Sequence, residues 1–77
     1  MPVVRINGPA LTVIRERSGL TVSRLAELTG IDRSTLAHIE TGRRNPSPET
    51  ALSIARALKV ELPAILADPN EPAEVQA

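Results

Sequence analysis

The side chains best suited to chemistry lie between residues 33 and 44. If this stretch is helical, Arg33, Ser34 and His38 share one outward surface, since residues four apart are neighbours on a helix. Arg43 and Arg44 follow after four further residues. A guanidinium offers a planar fork of donors that fits two adjacent acceptors, and paired arginines attract anions. Judged from the helix alone, ordinary solvated polar side chains and a solvated basic loop are the favoured interpretation, and recognition of an anionic partner is the alternative.

The same residue types argue against catalysis. The chain has one His and no Cys, so it cannot supply a cysteine zinc site or a histidine cluster. We find no pair of carboxylates, no glycine-rich phosphate loop and no nucleophile beside a base. We therefore expect neither an enzyme nor a bound metal or cofactor.

Charge is distributed unevenly along the chain. Nine basic and nine acidic residues cancel over the 77 residues. All nine bases lie in residues 1–60 with only five acids, which gives this part a charge of +4, and residues 61–77 carry −4. A basic body with an acidic tail suits an anionic partner, although a charge of this size is weak support by itself.

Local signals divide the chain into short helices. Four residues are suited to cap a helix N-terminus, and glycines follow three of the helical segments. Apolar residues recur at helical spacing inside each segment. The sequence predicts five short helices and no convincing strand, although residues 3–6 are too few to decide. The predicted caps are Asn7, Thr21, Asp32 and Ser47.

A single small domain fits the length of 77 residues. We expect an N-terminal arm at residues 1–8, a domain at residues 9–67 and a flexible acidic tail at residues 68–77. The tail is equally compatible with a natural end and with a linker to a further domain. No apolar run approaches the ~20 residues that span a bilayer, and no secretory signal is evident, so we expect a cytoplasmic protein.

Two of the predicted helices, at residues 21–29 and 32–41, are joined by a very short link. Gly30 and Ile31 leave no room for an antiparallel return, so the two helices must cross steeply, as in a helix-turn-helix. This geometry needs a small residue where the helices meet, which Ala26 provides. It also needs apolar residues on the inner face of the second helix, and Leu36 and Ile39 supply them.

Residues 11–66 resemble the Cro/phage-repressor type of helix-turn-helix domain, the XRE-like family. The resemblance implies an all-α, compact, five-helix domain like that of lambda repressor. Each motif is weak alone, but together they occur in order and with the correct gaps. They are Leu20-Thr21, Leu25-Ala26-Glu27, Thr29-Gly30-Ile31, Ser34-Thr35-Leu36, Ile39-Glu40-Thr41-Gly42, Arg43-Arg44-Asn45-Pro46-Ser47 and Ile54-Ala55-Arg56-Ala57-Leu58.

The resemblance also assigns roles to polar positions. The helix at residues 32–41 would enter the major groove of DNA, with Arg33, Ser34 and His38 at base edges. Other groups would contact phosphates, including backbone N–H groups at the start of the preceding helix. These phosphate positions are Thr21, Val22, Ser23, Thr35, Thr41, Arg43, Arg44 and Asn45.

Two further positions follow from the same resemblance. The family usually has Gln where this chain has Val22, which removes a side-chain contact to phosphate and keeps the backbone N–H. Arg15 and Glu40 match a buried ion pair between the first and third helices. We expect that pair to be structural rather than catalytic.

The favoured function is sequence-specific binding of double-stranded DNA, most simply by a transcriptional regulator or repressor. The alternative is a protein-interaction module, such as an antitoxin-like partner or an adaptor. Its docking surfaces would be the arm at residues 3–6, the acidic tail and the last helix with Leu62, Ile65 and Leu66. For these segments we favour closure of the core by the apolar residues and a solvated tail. That last helix would also be the surface of a homodimer, while a monomer on an asymmetric site is an alternative. Arg5 in the arm could enter a minor groove.

Overall fold

Four α-helices and one 3₁₀ helix make up the computed structural model, which describes residues 3–67. The α-helices are α1 (Gly8–Arg17), α2 (Val22–Thr29), α3 (Arg33–Glu40) and α4 (Pro48–Leu58), and the 3₁₀ helix is Leu62–Ile65. The all-α class predicted from the sequence is confirmed over these residues. The predicted tail at residues 68–77 lies outside them.

The prediction of a fifth α-helix is wrong. Residues 62–65 form a single tight turn, in which the Ala64 N–H donates to the Glu61 carbonyl over 2.9 Å and the Leu66 N–H donates to the Pro63 carbonyl over 3.3 Å. Both hydrogen bonds span three residues, as in a 3₁₀ helix. Four residues are too few to nucleate an α-helix, and Pro63 has no N–H to contribute.

The helices begin where the predicted caps lie. Each cap side chain accepts a hydrogen bond from a backbone N–H in the first turn, which satisfies a donor that the helix itself cannot. Gly30 ends α2 with a φ of +74°, a left-handed conformation that glycine adopts without strain. The four capping pairs are Asn7 with Ala10, Thr21 with Arg24, Asp32 with Ser34, and Ser47 with Thr50.

The core contains only aliphatic side chains, since the chain has no aromatic residue. Each fully buried Leu or Ile contributes roughly 1.5–3 kcal/mol relative to an exposed one. Helix α3 contributes Leu36 and Ile39, which fix its inner face against the other helices. The largest fully buried side chains are Leu11, Leu25, Leu36, Ile39, Ile54 and Ile65.

The segment before α1 pairs with two other parts of the chain. The Val4 N–H donates to the Pro46 carbonyl over 2.8 Å, and the Ala67 N–H donates to the Arg5 carbonyl over 2.9 Å. Ile6 and Leu66 form an isolated antiparallel bridge. The backbone at residues 3–6, which the sequence left undecided, is therefore paired along both edges.

The apolar residues of the arm and of the last helical segment close the core, which is the role that the sequence favoured over docking a partner. Ile65 is fully buried, and Leu62 and Leu66 pack partly buried against the same cluster. Ile6 is also a core residue. The expectation that Ile65 lies on a dimer surface is wrong, because this side chain is covered by its own domain. Within residues 3–67, no helix has the length and apolar character needed to cross a membrane.

Candidate nucleic-acid interface

Helix α3 presents opposite sides to the core and to solvent. Leu36 and Ile39 are buried beneath it. Arg33, Ser34 and His38 are all exposed, so the structure brings together the three side chains that the sequence assigned to base edges. Thr35, assigned to phosphate, is half-buried on the flank of the same helix. An exposed, polar surface on a helix with an anchored inner face is what insertion into a groove requires.

Helix α3 ends in a turn that fixes the direction of the next residues. The Gly42 N–H donates to the Ile39 carbonyl over 3.2 Å, and the Arg43 N–H donates to the His38 carbonyl over 2.8 Å. These two bonds form a Schellman motif, and Gly42 has the left-handed φ of +82° that it needs. The Thr41 hydroxyl donates to the His38 carbonyl over 3.2 Å. The backbone of Arg43 is thus tied to α3.

The basic loop, which we define as residues 43–46, leaves this turn. Arg43, Arg44 and Asn45 are exposed, and Pro46 is buried. Within residues 3–67, ion pairs join Arg15 to Glu16 and Glu40, and Arg24 to Glu27. None of these pairs involves Arg33 or the two loop arginines, so the three cations face solvent unneutralised by the described acids.

The start of α2 supplies a second set of hydrogen-bond donors, which belong to the backbone. The Thr21 hydroxyl oxygen accepts the Arg24 N–H over 3.0 Å. The Val22 and Ser23 N–H groups belong to the first turn, where backbone donors have no intrahelical partner. Val22 itself is half-buried and packs against the core. Its side chain therefore packs in the interior, and only its backbone N–H can donate a hydrogen bond to an anion.

Arg15 and Glu40 meet where α1 packs against α3. Arg15 Nε lies 2.6 Å from Glu40 Oε2, and Arg15 Nη2 lies 3.2 Å from Oε1. The two side chains are only 10% and 7% exposed. Arg15 Nη1 also donates to the Leu20 carbonyl over 2.7 Å. The structure thus places the two residues in a buried, bidentate ion pair.

The Glu40 carboxylate holds Arg15 in its charged form. Hydrogen bonding to Glu40 raises the pKa of Arg15, burial opposes this by lowering it, and the negative charges of Glu40 and then Glu16 raise it further. A raised pKa favours the folded state at every pH below the ordinary value of arginine, and the benefit is lost only as pH rises through the folded value. The pair therefore keeps its cation through the neutral range.

Two residues at this contact were not singled out from the sequence. The Thr12 hydroxyl donates to Glu40 Oε1 over 2.9 Å. Gly8 packs so closely on the end of α3 that a Cβ placed there would overlap the Glu40 carbonyl oxygen. The only local signal was a glycine directly before Pro9 at a helix start, which does not reveal a neighbour more than thirty residues away.

Asn45 also has a structural contact that the sequence did not reveal. Its Oδ1 accepts the Ile6 N–H over 3.2 Å, across 39 residues of sequence. The oxygen thus accepts a hydrogen bond within the domain, and the amide N–H groups of Asn45 remain available to donate outward.

One of the comparisons with known proteins gives the family directly. A family model described as "Helix-turn-helix" (HTH_3) matches residues 13–65. A putative HTH-type transcriptional regulatory protein of Methanocaldococcus jannaschii is 41% identical over 59 residues, which is 77% of this chain and 19% of that protein. The chain thus spans about a fifth of the length of this relative.

Two solved structures resemble the domain in fold and in sequence. The restriction-modification controller protein C.AhdI of Aeromonas hydrophila is 38% identical with a TM-score of 0.72, over 74% of this chain and 86% of the controller. SinR, a master regulator for biofilm formation solved in complex with DNA, is 29% identical with a TM-score of 0.70, over 74% of this chain and 95% of SinR.

Proposed function

Because the chain belongs to the HTH_3 family of helix-turn-helix proteins, we propose that it binds double-stranded DNA sequence-specifically and thereby regulates transcription. The proposal assigns base reading to the outer side of α3 and phosphate binding to its flanks. One observation carries it. The eight-residue helix α3 is anchored by Leu36 and Ile39 while Arg33, Ser34 and His38 stay exposed on the other side.

Base reading follows from the donors on α3. Arg33 sits in the first turn, where its guanidinium can donate both hydrogen bonds to the O6 and N7 acceptors of guanine in the major groove. Ser34 can donate or accept and therefore selects weakly. His38 lies one turn later on the same surface and reaches either a base edge or, when protonated, a phosphate.

Phosphate binding follows from the groups on both sides of α3. The exposed Arg43 and Arg44 contact one stretch of the DNA backbone, and the N–H groups of Val22 and Ser23 contact another. These contacts bind without regard to sequence and set the position of α3 in the groove. The remaining members of the phosphate set are Thr21, Thr35, Thr41 and Asn45. The hydroxyl of Thr41 is also hydrogen-bonded to the end of α3.

Two experiments test the proposal together. Selection of bound duplexes from a randomised pool is expected to yield a consensus, and the symmetry of that consensus reports whether one copy or two bind. If roughly four phosphates are neutralised, log affinity should fall against log salt with a slope near −3 to −4. No consensus together with a flat salt response would overturn the proposal.

A protein-interaction module, such as an antitoxin-like partner, was the alternative reading. Two of its expected docking surfaces, the arm and the last helical segment, contribute Ile6 and Ile65 to the core. The third, the tail at residues 68–77, lies outside the described residues. We therefore retain DNA binding as the proposed function.

A further inference from the structure

We propose that residues 4–6 belong to the DNA-binding surface: they hold the basic loop in place and add Arg5 as a further phosphate contact beside Arg43 and Arg44. This inference rests on the proposed function and extends the same surface. It also gives Asn45 a different part, as a positioning residue that fixes the loop rather than as a direct phosphate contact.

The first step is the pairing between residues 4–6 and the basic loop. The Val4 N–H donates to the Pro46 carbonyl over 2.8 Å. Two residues on, the Ile6 N–H donates to Asn45 Oδ1 over 3.2 Å. Alternate N–H groups of an extended chain point to the same side. Residues 4–6 therefore run directly alongside the basic loop.

The second step concerns the opposite edge of residues 4–6. The Arg5 carbonyl accepts the Ala67 N–H over 2.9 Å, and the Asn7 N–H donates to the Ile65 carbonyl over 2.8 Å. Hydrogen bonds on both edges fix the backbone of Arg5 relative to the domain. Its side chain is thus presented from a defined place rather than from a loose chain end.

The third step is the direction of the Arg5 side chain. Successive side chains of an extended segment point to opposite faces. Ile6 is 8% exposed and belongs to the core, and Val4 packs partly buried against it. Arg5 must therefore point away from the core, and it is exposed. Arg43 and Arg44 are exposed on the loop that residues 4–6 pair with.

The fourth step concerns the positive charge of the three arginines in this arrangement. Arg5 lies in the segment that pairs with Asn45 and Pro46, and Arg43 and Arg44 directly precede these two residues. None of the ion pairs within residues 3–67 involves the three arginines. Duplex DNA carries one negative charge about every 1.7 Å along its axis. A cluster of cations next to α3 faces several phosphates at once, so Arg5 adds to the same electrostatic contact.

The test of Arg5 is a salt titration on the selected duplex with the whole chain. Arg5→Ala is expected to make the slope of log affinity against log salt shallower by about 0.9, the value of one phosphate contact. Arg17→Ala, which removes an exposed arginine from the last turn of α1, is the matched control and should leave the slope unchanged. Arg5→Lys keeps the charge and should restore the slope of the unmodified chain.

The test of Asn45 is amide hydrogen exchange at Ile6. Asn45→Ala removes the acceptor, so exchange of the Ile6 N–H should accelerate at least about tenfold. Asn45→Asp keeps an acceptor and should preserve the slow exchange. In the Asn45→Ala background, Arg5→Ala should change the salt slope less than it does alone, because Arg5 is no longer held beside the loop.

The outcomes separate this inference from the proposed function. Failure of the unmodified chain to bind any duplex overturns both. Binding with the same slope in Arg5→Ala, or an equal loss in Arg17→Ala, overturns the role of Arg5 alone. Unchanged exchange of the Ile6 N–H in Asn45→Ala overturns the positioning role of Asn45.

Discussion

Helix α3 has an inner and an outer side that differ in almost every physical respect. On the inner side, Leu36 and Ile39 are buried and the Glu40 carboxylate is hydrogen-bonded by Arg15 and Thr12. On the outer side, Arg33 and His38 are exposed. The residues that hold the helix and the residues proposed to read DNA are therefore different residues of one short element.

This division has a simple energetic consequence. Removing a partner from a buried polar contact costs several kcal/mol, because the remaining group is left desolvated. Removing an exposed side chain usually changes stability by less than about 0.5 kcal/mol. Substitutions on the inner side should thus lower stability, and substitutions on the outer side should alter binding alone.

The largest effect is expected for Arg15→Ala. Glu40 would stay buried with its main partner gone, and the free energy of unfolding should fall by about 3–5 kcal/mol. Urea or thermal unfolding measures this, with Arg17→Ala, an exposed arginine of the same helix, as control. An unchanged unfolding midpoint in Arg15→Ala would refute the structural role of the pair.

A double replacement sharpens the same prediction. In Arg15→Met with Glu40→Leu, no buried charge is left without a partner, so the double variant should unfold closer to the unmodified chain than Arg15→Ala does. If the double variant is as unstable as the single one, then packing rather than the unpaired carboxylate sets the loss.

Gly8→Ala is expected to give the next effect. The added Cβ would overlap the Glu40 carbonyl oxygen, which is backbone and cannot turn aside, so α1 must shift at a cost of about 1–3 kcal/mol. Chemical denaturation measures the change, and Val13→Ala on the exposed side of α1 is the control. A gain in stability, as expected for Gly→Ala at an open helix position, would show that the contact with α3 is loose.

Arg33→Ala and Arg43→Ala test the outer side. Arg33→Ala should relax preference at one base position by about 1–3 kcal/mol, whereas Arg43→Ala should weaken binding to all sequences alike. Competition between the selected duplex and its single-base variants separates the two results. If both substitutions weaken every duplex equally, the division between base reading and phosphate binding is wrong.

Thr12→Val should have the smallest effect. The substitution keeps the shape of the side chain and removes the 2.9 Å hydrogen bond to Glu40 Oε1. Arg15 still satisfies the carboxylate, so we expect a loss of about 1 kcal/mol and no change in sequence preference. A loss as large as that of Arg15→Ala would mean that the hydroxyl, and not the guanidinium, is the main partner of Glu40.

The parts of the fold that the sequence predicted are those determined within a few residues. Asp32 caps a helix because its carboxylate reaches an N–H two residues on. Gly30 ends α2 because the left-handed conformation suits it. The apolar spacing of Leu36 and Ile39 marked the inner side of α3. None of these inferences needs knowledge of where other helices lie.

The contacts that escaped prediction join distant parts of the chain. Thr12 and Glu40 are 28 residues apart, and Ile6 and Asn45 are 39 apart. Such pairs depend on how whole helices are placed. The sequence around a hydroxyl or an amide does not indicate which distant residue it contacts. Arg15 and Glu40 were expected to meet only because the chain resembles a family in which that pair occurs.

The turn at Gly42 links the helix that is proposed to read bases to the loop that is proposed to bind phosphates. Because the N–H groups of Gly42 and Arg43 donate to carbonyls of α3, the backbone of Arg43 keeps a fixed position relative to that helix. A rotation of α3 about its axis would therefore also move Arg43, which is proposed to bind the DNA backbone. We therefore expect new sequence preferences to arise by substitution of exposed side chains on α3, and not by a change in the orientation of the helix.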